Sequence, residues 1–170
     1  MSLASQRYSV TAYVALGSNL DGPQGHVIRA LAELRQLPVS ACTAQSSLYC
    51  SPPMGPQDQP DYINAVMRLR TELSAVSLLD AMQSIERSHG RHRQSERRWG
   101  ARTLDLDLLL YGEQLIRTQR LQVPHPGMAE RDFVLRPLYE IEPDLQVPGL
   151  GAVRALLQRC PGGGLRRIAP

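Results

Sequence analysis

At 170 residues, with 42% apolar and 21% charged side chains and a formal charge of +3, the chain has the make-up of one globular domain spanning 1–170. No apolar run approaches the roughly 20 residues of a membrane helix, the N-terminal MSLASQRYSV lacks a long apolar segment, and three widely spaced cysteines (Cys42, Cys50, Cys160) suit reduced thiols, so a cytoplasmic protein without a membrane partner is expected. All 19 basic residues are arginine, which excludes a P-loop, a Schiff-base lysine and a kinase strand lysine; any phosphate must be held by guanidinium groups, backbone N–H groups or metal.

Arg7 to Leu16, with the β-branched and aromatic run YSVTAYVAL, predicts a first strand ending in the turn Gly17-Ser18-Asn19. That turn could cradle phosphate, but a plain strand–helix turn is the better reading. A helix follows, with Asp21 as N-cap, Pro23 in its first turn and Val27, Ile28, Leu31 and Leu34 at helical spacing until Pro38. Val39 to Cys50 reads as a second strand. Ser51 to Pro60, SPPMGPQDQP, holds four prolines and must be a stiff loop, the kind that shapes pockets. Asp61 to Glu72 is a third strand, with Ile63, Ala65, Met67 and Leu69 on the apolar face and Tyr62, Asn64 and Val66 on the other. Asn64 there either reads the edge of a heterocycle, since its amide both donates and accepts, or bonds to backbone.

Ser74 starts the next helix, whose buried stripe is Leu78, Leu79, Met82 and Ile85. Gln83 and Glu86 share a face that looks into a site or into water. Arg91 to Arg102 holds five arginines and too few apolar residues to bury itself, which predicts a mobile basic loop. Thr103 to Tyr111 is expected as the central strand. Asp105 and Asp107 point to one face, Leu104, Leu106 and Leu108 to the other. Two carboxylates beside an arginine cluster fit a divalent metal and a polyphosphate; the alternative is a strand end whose aspartates pair with nearby arginines. A short hairpin (Leu115-Ile116, Leu121 to Val123) leads to the rigid turn Val123-Pro124-His125-Pro126, which presents His125. A helical stretch from Arg131 is interrupted or restarted at Pro137, with Phe133 assigned by default to the core. A last short helix is expected over Leu150 to Leu157, and the tail from about 160 to 170 as flexible. The element order suggests an α+β, ferredoxin-like βαββαβ core with an added hairpin and C-terminal helices. No aromatic-rich sheet face or RNP-like run accompanies the basic loop, so nucleic acid is not an expected partner.

The blocks ALGSNL (15–20), SSLYCSPPMGPQDQPDYINAV (46–66), RWGARTLDLDLLLYG (98–112) and VPHPGM (123–128) resemble, in order, those of the 6-hydroxymethyl-7,8-dihydropterin pyrophosphokinases of folate biosynthesis. The resemblance implies transfer of the β,γ-pyrophosphoryl group of ATP to a pterin hydroxymethyl oxygen, with release of AMP. It implies Asp105 and Asp107 as ligands of two magnesium ions, Arg91 and Arg102 as catalytic arginines, and Arg93 as a further ATP contact. Gln83 and His125 become phosphate or ribose contacts, and Arg120 and Arg131 ATP-side cations. Tyr62 and Phe133 would sandwich the pterin, Asn64 would read its amide edge, and the backbone of Ser51, Pro52 and Met54 would add hydrogen bonds. Trp99 would seal the pocket, with Glu86 nearby. A monomer is expected. Three positions depart from the family pattern: the doubled arginine in ERRWG, Pro126 with Gly127, and Met54 where leucine is common.

Overall fold

The computed structural model describes residues 8–96 and 98–169. Strand β1 (Val10–Ser18) lies at the middle of the sheet, antiparallel to β4 (Tyr62–Thr71) on one side and β5 (Asp105–Tyr111) on the other. On the far side of β4 pair β2 (Ser40–Gln45) and β3 (Tyr49–Ser51), and β3 pairs in turn with β10 (Arg166–Arg167). All these pairings are antiparallel. Helix α1 (Pro23–Arg35) follows β1, and α2 (Ala75–Ser88) joins β4 to β5. A two-stranded hairpin, β6 (Ile116–Arg117) and β7 (Gln122–Val123), then leads to α3 (Asp132–Ile141). A second hairpin, β8 (Gln146–Val147) with β9 (Gly151–Ala152), precedes α4 (Val153–Arg159).

Strand alternation divides the apolar residues between the two faces. Ala12, Val14 and Leu16 of β1, Ala65, Met67 and Leu69 of β4, and Leu106 and Leu108 of β5 pack with the stripes of α1 and α2. Tyr13, Ala15, Val66 and Leu109 pack with Val134, Leu135 and Leu138 of α3 and Val153 and Leu156 of α4. A register shift where β1 changes partner between Tyr13 and Val14 turns Leu110 to the α3 side along with Leu109. Along the α3/α4 face, β1 continues from Tyr13 and Ala15 to Gly17, β4 from Val66 to Asn64 and Tyr62, and β5 from Leu109 to Asp107 and Asp105. The helices cover one end of this face; the other end is left open, and there the cleft forms.

Several boundaries differ from the sequence expectation. β1 runs through Gly17 and Ser18, because both pair with β4, opposite Asn64 and Ile63. The N-cap of α1 is Gly22, not Asp21; both have positive φ (78° and 54°), and no side chain caps the helix. Residues 39–50 form two strands rather than one, paired with opposite ends of β4. Pro137 sits within an unbroken α3. β5 is not central: its one strand partner is β1, and the turn after β7 covers its outer side, where the His125 N–H donates to the Leu109 carbonyl at 2.9 Å. The C-terminal tail is not simply frayed. Besides β10, the Ile168 N–H donates to the Leu48 carbonyl (2.8 Å) and Arg167 Nε to Ser47 Oγ (2.9 Å).

Candidate active site

The floor of the cleft is built from the small residues of β1. Gly17 lies opposite Asn64 on one neighbour and Asp105 on the other; Ala15 lies opposite Val66 and Asp107. A central strand with large side chains here would fill the depression. With glycine and alanine, a cleft of about 290 Å³ opens between the carboxylates on β5 and the aromatic wall beyond β4.

One wall of the cleft suits a flat ring. Ser51, Pro52 and Met54 come from the proline-rich segment, Tyr62 and Asn64 from β4, Trp99 from the arginine-rich segment, and Phe133 from the first turn of α3. Asn64 is buried and donates one amide hydrogen to Ser51 Oγ at 2.8 Å, which fixes the amide plane. The Tyr62 hydroxyl donates to the Gly100 carbonyl at 3.0 Å. Phe133, assigned by default to the core, is half-buried at the cleft.

The other wall is ionic. Arg91 is 4% exposed, the opposite of a solvated loop residue, because carboxylates from three directions compensate its charge. Its NH1 group donates to Glu86 and Asp105 and, at 3.2 Å, to the Leu104 carbonyl; its Nε donates to Glu96 at 3.1 Å. Glu86, on α2, also accepts from Arg93 (2.7 Å) and from the Leu106 N–H (3.1 Å), tying helix, loop and strand together. Arg102 NH1 donates to the second oxygen of Asp105 at 3.0 Å. Its Nε is a buried donor with no hydrogen-bond partner, facing the Glu96 carboxylate at 3.7 Å.

The two aspartates differ in charge state. Burial opposes ionisation of Asp105, but Arg91 and Arg102 outweigh it and hold the pKa below the ordinary 3.8. Asp107 is pushed up to about 7, first by burial and then by the charge of Asp105, with Arg131 too distant (3.9 Å) to reverse this. His125 lies 3.7 Å from Asp107 through Nε2 and is lowered to about 4 by burial and by Arg131. Its Nδ1 accepts the Gly127 N–H at 3.2 Å, so the neutral ring carries its proton on Nε2, facing the carboxylate. A half-buried carboxylate pair whose second member resists ionisation fits a divalent cation, which would relieve the repulsion. Among the described residues no third carboxylate, His or Cys completes a metal cluster.

Fourteen of the sixteen expected site residues line this cleft. Gln83 instead lines an adjoining groove of about 330 Å³, which shares Arg91 and Arg93 with the cleft. Arg120 lines neither; it donates to Asp80 on the exposed side of α2 at 2.6 Å. Arg98 lines the cleft beside Trp99 without having been singled out; the doubled arginine of ERRWG was its signal. The other member, Arg97, lies outside the described residues. The turn at Ser18-Asn19 does more than join a strand to a helix. Asn19 donates to Gln59 Oε1 and the Pro60 carbonyl (both 3.0 Å) and accepts the Arg102 N–H (2.7 Å), tying the proline-rich and arginine-rich segments to β1.

Paired carboxylates under an arginine fan, continuous with an aromatic slot, form the arrangement expected of a phosphotransferase acting on a small heterocycle. The chain belongs to the 7,8-dihydro-6-hydroxymethylpterin-pyrophosphokinase family, whose model matches residues 13–143. It is similar to the 2-amino-4-hydroxy-6-hydroxymethyldihydropteridine pyrophosphokinase of Haemophilus influenzae, with 49% identity over 150 residues covering 88% of this chain and 92% of that one. The Pseudomonas aeruginosa enzyme of the same name is 49% identical over 156 residues, 92% of this chain and 95% of its own. In fold the chain is similar to wild-type Plasmodium falciparum HPPK-DHPS, with a TM-score of 0.72 at 12% identity, over 92% of this chain and 45% of that longer one.

Proposed function

We propose that this chain transfers the pyrophosphoryl group of ATP to the hydroxymethyl oxygen of 6-hydroxymethyl-7,8-dihydropterin and releases AMP, a step of tetrahydrofolate biosynthesis. The observation that carries the site reading is the continuity of the aromatic slot with the Asp105–Asp107 pair in one cleft. Tyr62, Phe133 and Trp99 hold the pterin ring, and Asn64 with the Ser51–Met54 backbone reads its amide edge. The hydroxymethyl group then points toward the carboxylates. Arg93, Gln83, His125 and Arg131 flank the path of the triphosphate, and Arg120 would have to leave Asp80 to join them.

Asp105 and Asp107 would hold magnesium, two ions in the full complex, and the bound cations would supply neutralisation of the phosphate charge. Arg91 and Arg102 do the remaining electrostatic work. In the free protein both are paired with Asp105, so they exchange that carboxylate for phosphate oxygens as charge develops on the transferred group. The oxygen–phosphorus bond forms at the β-phosphorus as the bridge to the α-phosphate breaks; AMP carries away the bonding pair, and the hydroxymethyl proton is released to water.

The strand–helix–strand order and the antiparallel neighbours of β1 and β4 support a ferredoxin-like βαββαβ core, here with the second strand divided into β2 and β3. One domain over 1–170, acting as a monomer in the cytoplasm, belongs to the same reading. Free thiols at Cys42, Cys50 and Cys160 suit that location, and no helix among the described residues is long and apolar enough to cross a membrane.

The test is AMP release from MgATP and the hydroxymethyl pterin by the wild-type and Asp107→Ala chains. AMP formed one-for-one with pterin diphosphate by the wild type, and lost in the variant, is the expected result. Near-normal turnover by Asp107→Ala overturns the metal assignment, and no AMP from the wild type overturns the reaction.

A further inference from the structure

Trp99 is held with φ at 62°, a left-handed conformation that bulky residues rarely adopt. Its neighbours hold it there. Gln59 Nε2 donates to the Trp99 carbonyl at 2.9 Å, and the Tyr62 hydroxyl donates to the next carbonyl, that of Gly100. Between these anchors the side chain presses on Gly55: a Cβ placed on Gly55 would stand 2.8 Å from the Trp99 Cβ and 3.5 Å from its Cγ. Carbon atoms in good contact lie about 3.5–4.0 Å apart, so no side chain fits at position 55 while Trp99 stays where it is. The obstacle is the root of the indole, which cannot swing aside by changing rotamer. Gly55 has φ at 96°, and Gln57 Nε2 donates to the carbonyls of Pro53 (2.9 Å) and Gly55 (3.0 Å), which keeps the segment in shape. On the other side Arg131 lies 5.6 Å from the indole centroid.

We propose that Gly55 is a positioning residue for the reaction: its bare Cα is the seat on which Trp99 closes the heterocycle end of the cleft. The inference rests on the transferase reading of that cleft. Gly55 touches no reacting atom. It acts by letting the proline-rich and arginine-rich segments meet, so that indole, Phe133 and Tyr62 enclose one volume.

The chain has a single tryptophan, so its emission reports this contact directly. Four proteins suffice: wild type, Gly55→Ala, Trp99→Gly and the double variant. In Gly55→Ala the acrylamide quenching constant of Trp99 should rise about twofold or more, and no longer fall when α,β-methylene-ATP, magnesium and 6-hydroxymethylpterin are added. KM for the pterin should rise about tenfold, the equivalent of ~1.4 kcal/mol, with KM for MgATP within about twofold of wild type. In the Trp99→Gly background, where the opposing Cβ is gone, the same Gly55→Ala change should alter kcat/KM less than about twofold. Wild-type quenching and kinetics in Gly55→Ala overturn the proposal. So does an equal loss in both backgrounds, which would assign the effect to the backbone of residue 55 alone. If Gly55→Ala does not fold, folding of the double variant supports the clash with Trp99, and failure of both overturns the positioning role. A wild-type chain that releases no AMP sinks the transferase reading while leaving the quenching comparison intact.

Discussion

Arg91 and Asp105 are hydrogen-bonded to each other, the base of the arginine-rich segment to the first carboxylate of β5. A residue expected to bind phosphate is thus occupied by the residue expected to bind metal. The pairing keeps both ionised in a half-dry site, and in the proposed reaction their release becomes part of substrate binding. The Arg91 guanidinium reaches Glu86, Glu96, Asp105 and the Leu104 carbonyl at once, which the point charge of a lysine cannot do. Arg91→Lys should therefore lower kcat for AMP release by about 10²–10³-fold and lower the urea midpoint. Wild-type turnover would remove Arg91 from the catalytic set.

Asp107 supplies a pH signature. Its ordinary pKa is 3.8 and its folded, metal-free value is about 7, so between those values the folded chain holds a proton that the unfolded chain has lost. The stabilising contribution is complete below the lower value and is lost as pH rises through the upper one. Magnesium binding expels the proton, so affinity should climb up to about pH 7 and then level off. Melting temperatures from pH 5 to 8, in chelator and in magnesium, give the measurement. The gain from magnesium should grow with pH in the wild type and stay flat in Asp107→Asn.

Glu86 and Arg93 form one ion pair with unequal ends: the glutamate side chain is 2% exposed and the arginine 48%. Removing the buried partner leaves Arg91 short of a counter-charge and the Leu106 N–H without an acceptor, a loss of about 3–5 kcal/mol for a buried pair. Removing the exposed partner should cost under ~1 kcal/mol. Urea unfolding of Glu86→Ala and Arg93→Ala should reproduce that order. Equal losses would mean that Glu86 is not the junction of α2, β5 and the arginine-rich segment.

Arg120 is the expected site residue farthest from its assigned role. Its contact with Asp80 is exposed at both ends, 53% and 58%, so stability should hardly change on truncation. Any effect of Arg120→Ala should appear in KM for MgATP, read in the same steady-state assay. An unchanged KM would take Arg120 out of the nucleotide site.

The helices, the strands β1, β4 and β5 and the two faces of the sheet were legible because local alternation agrees with the packing, whereas β8, β9 and β10 were not. Ser74 is a clear example: its hydroxyl accepts the Ser77 N–H at 3.1 Å and the helix starts there. The positions of the chemistry-bearing residues followed from their sequence blocks. What the sequence concealed were relationships across the chain. Nothing local to Arg91 says that it is buried, since its three carboxylates come from α2, the loop and β5. Nothing local to Asn19 says that it joins segments 40 and 83 residues away. β5 reads as central because its run Leu108-Leu109-Leu110 is apolar on both faces, yet its outer side is covered by a turn rather than by a strand.

The last strand has a consequence for handling the protein. β10 lies on β3, and without it Tyr49 and Cys50 would offer an unpaired ladder to any neighbouring chain. The segment beyond Cys160 thus acts as an edge guard against sticking between copies.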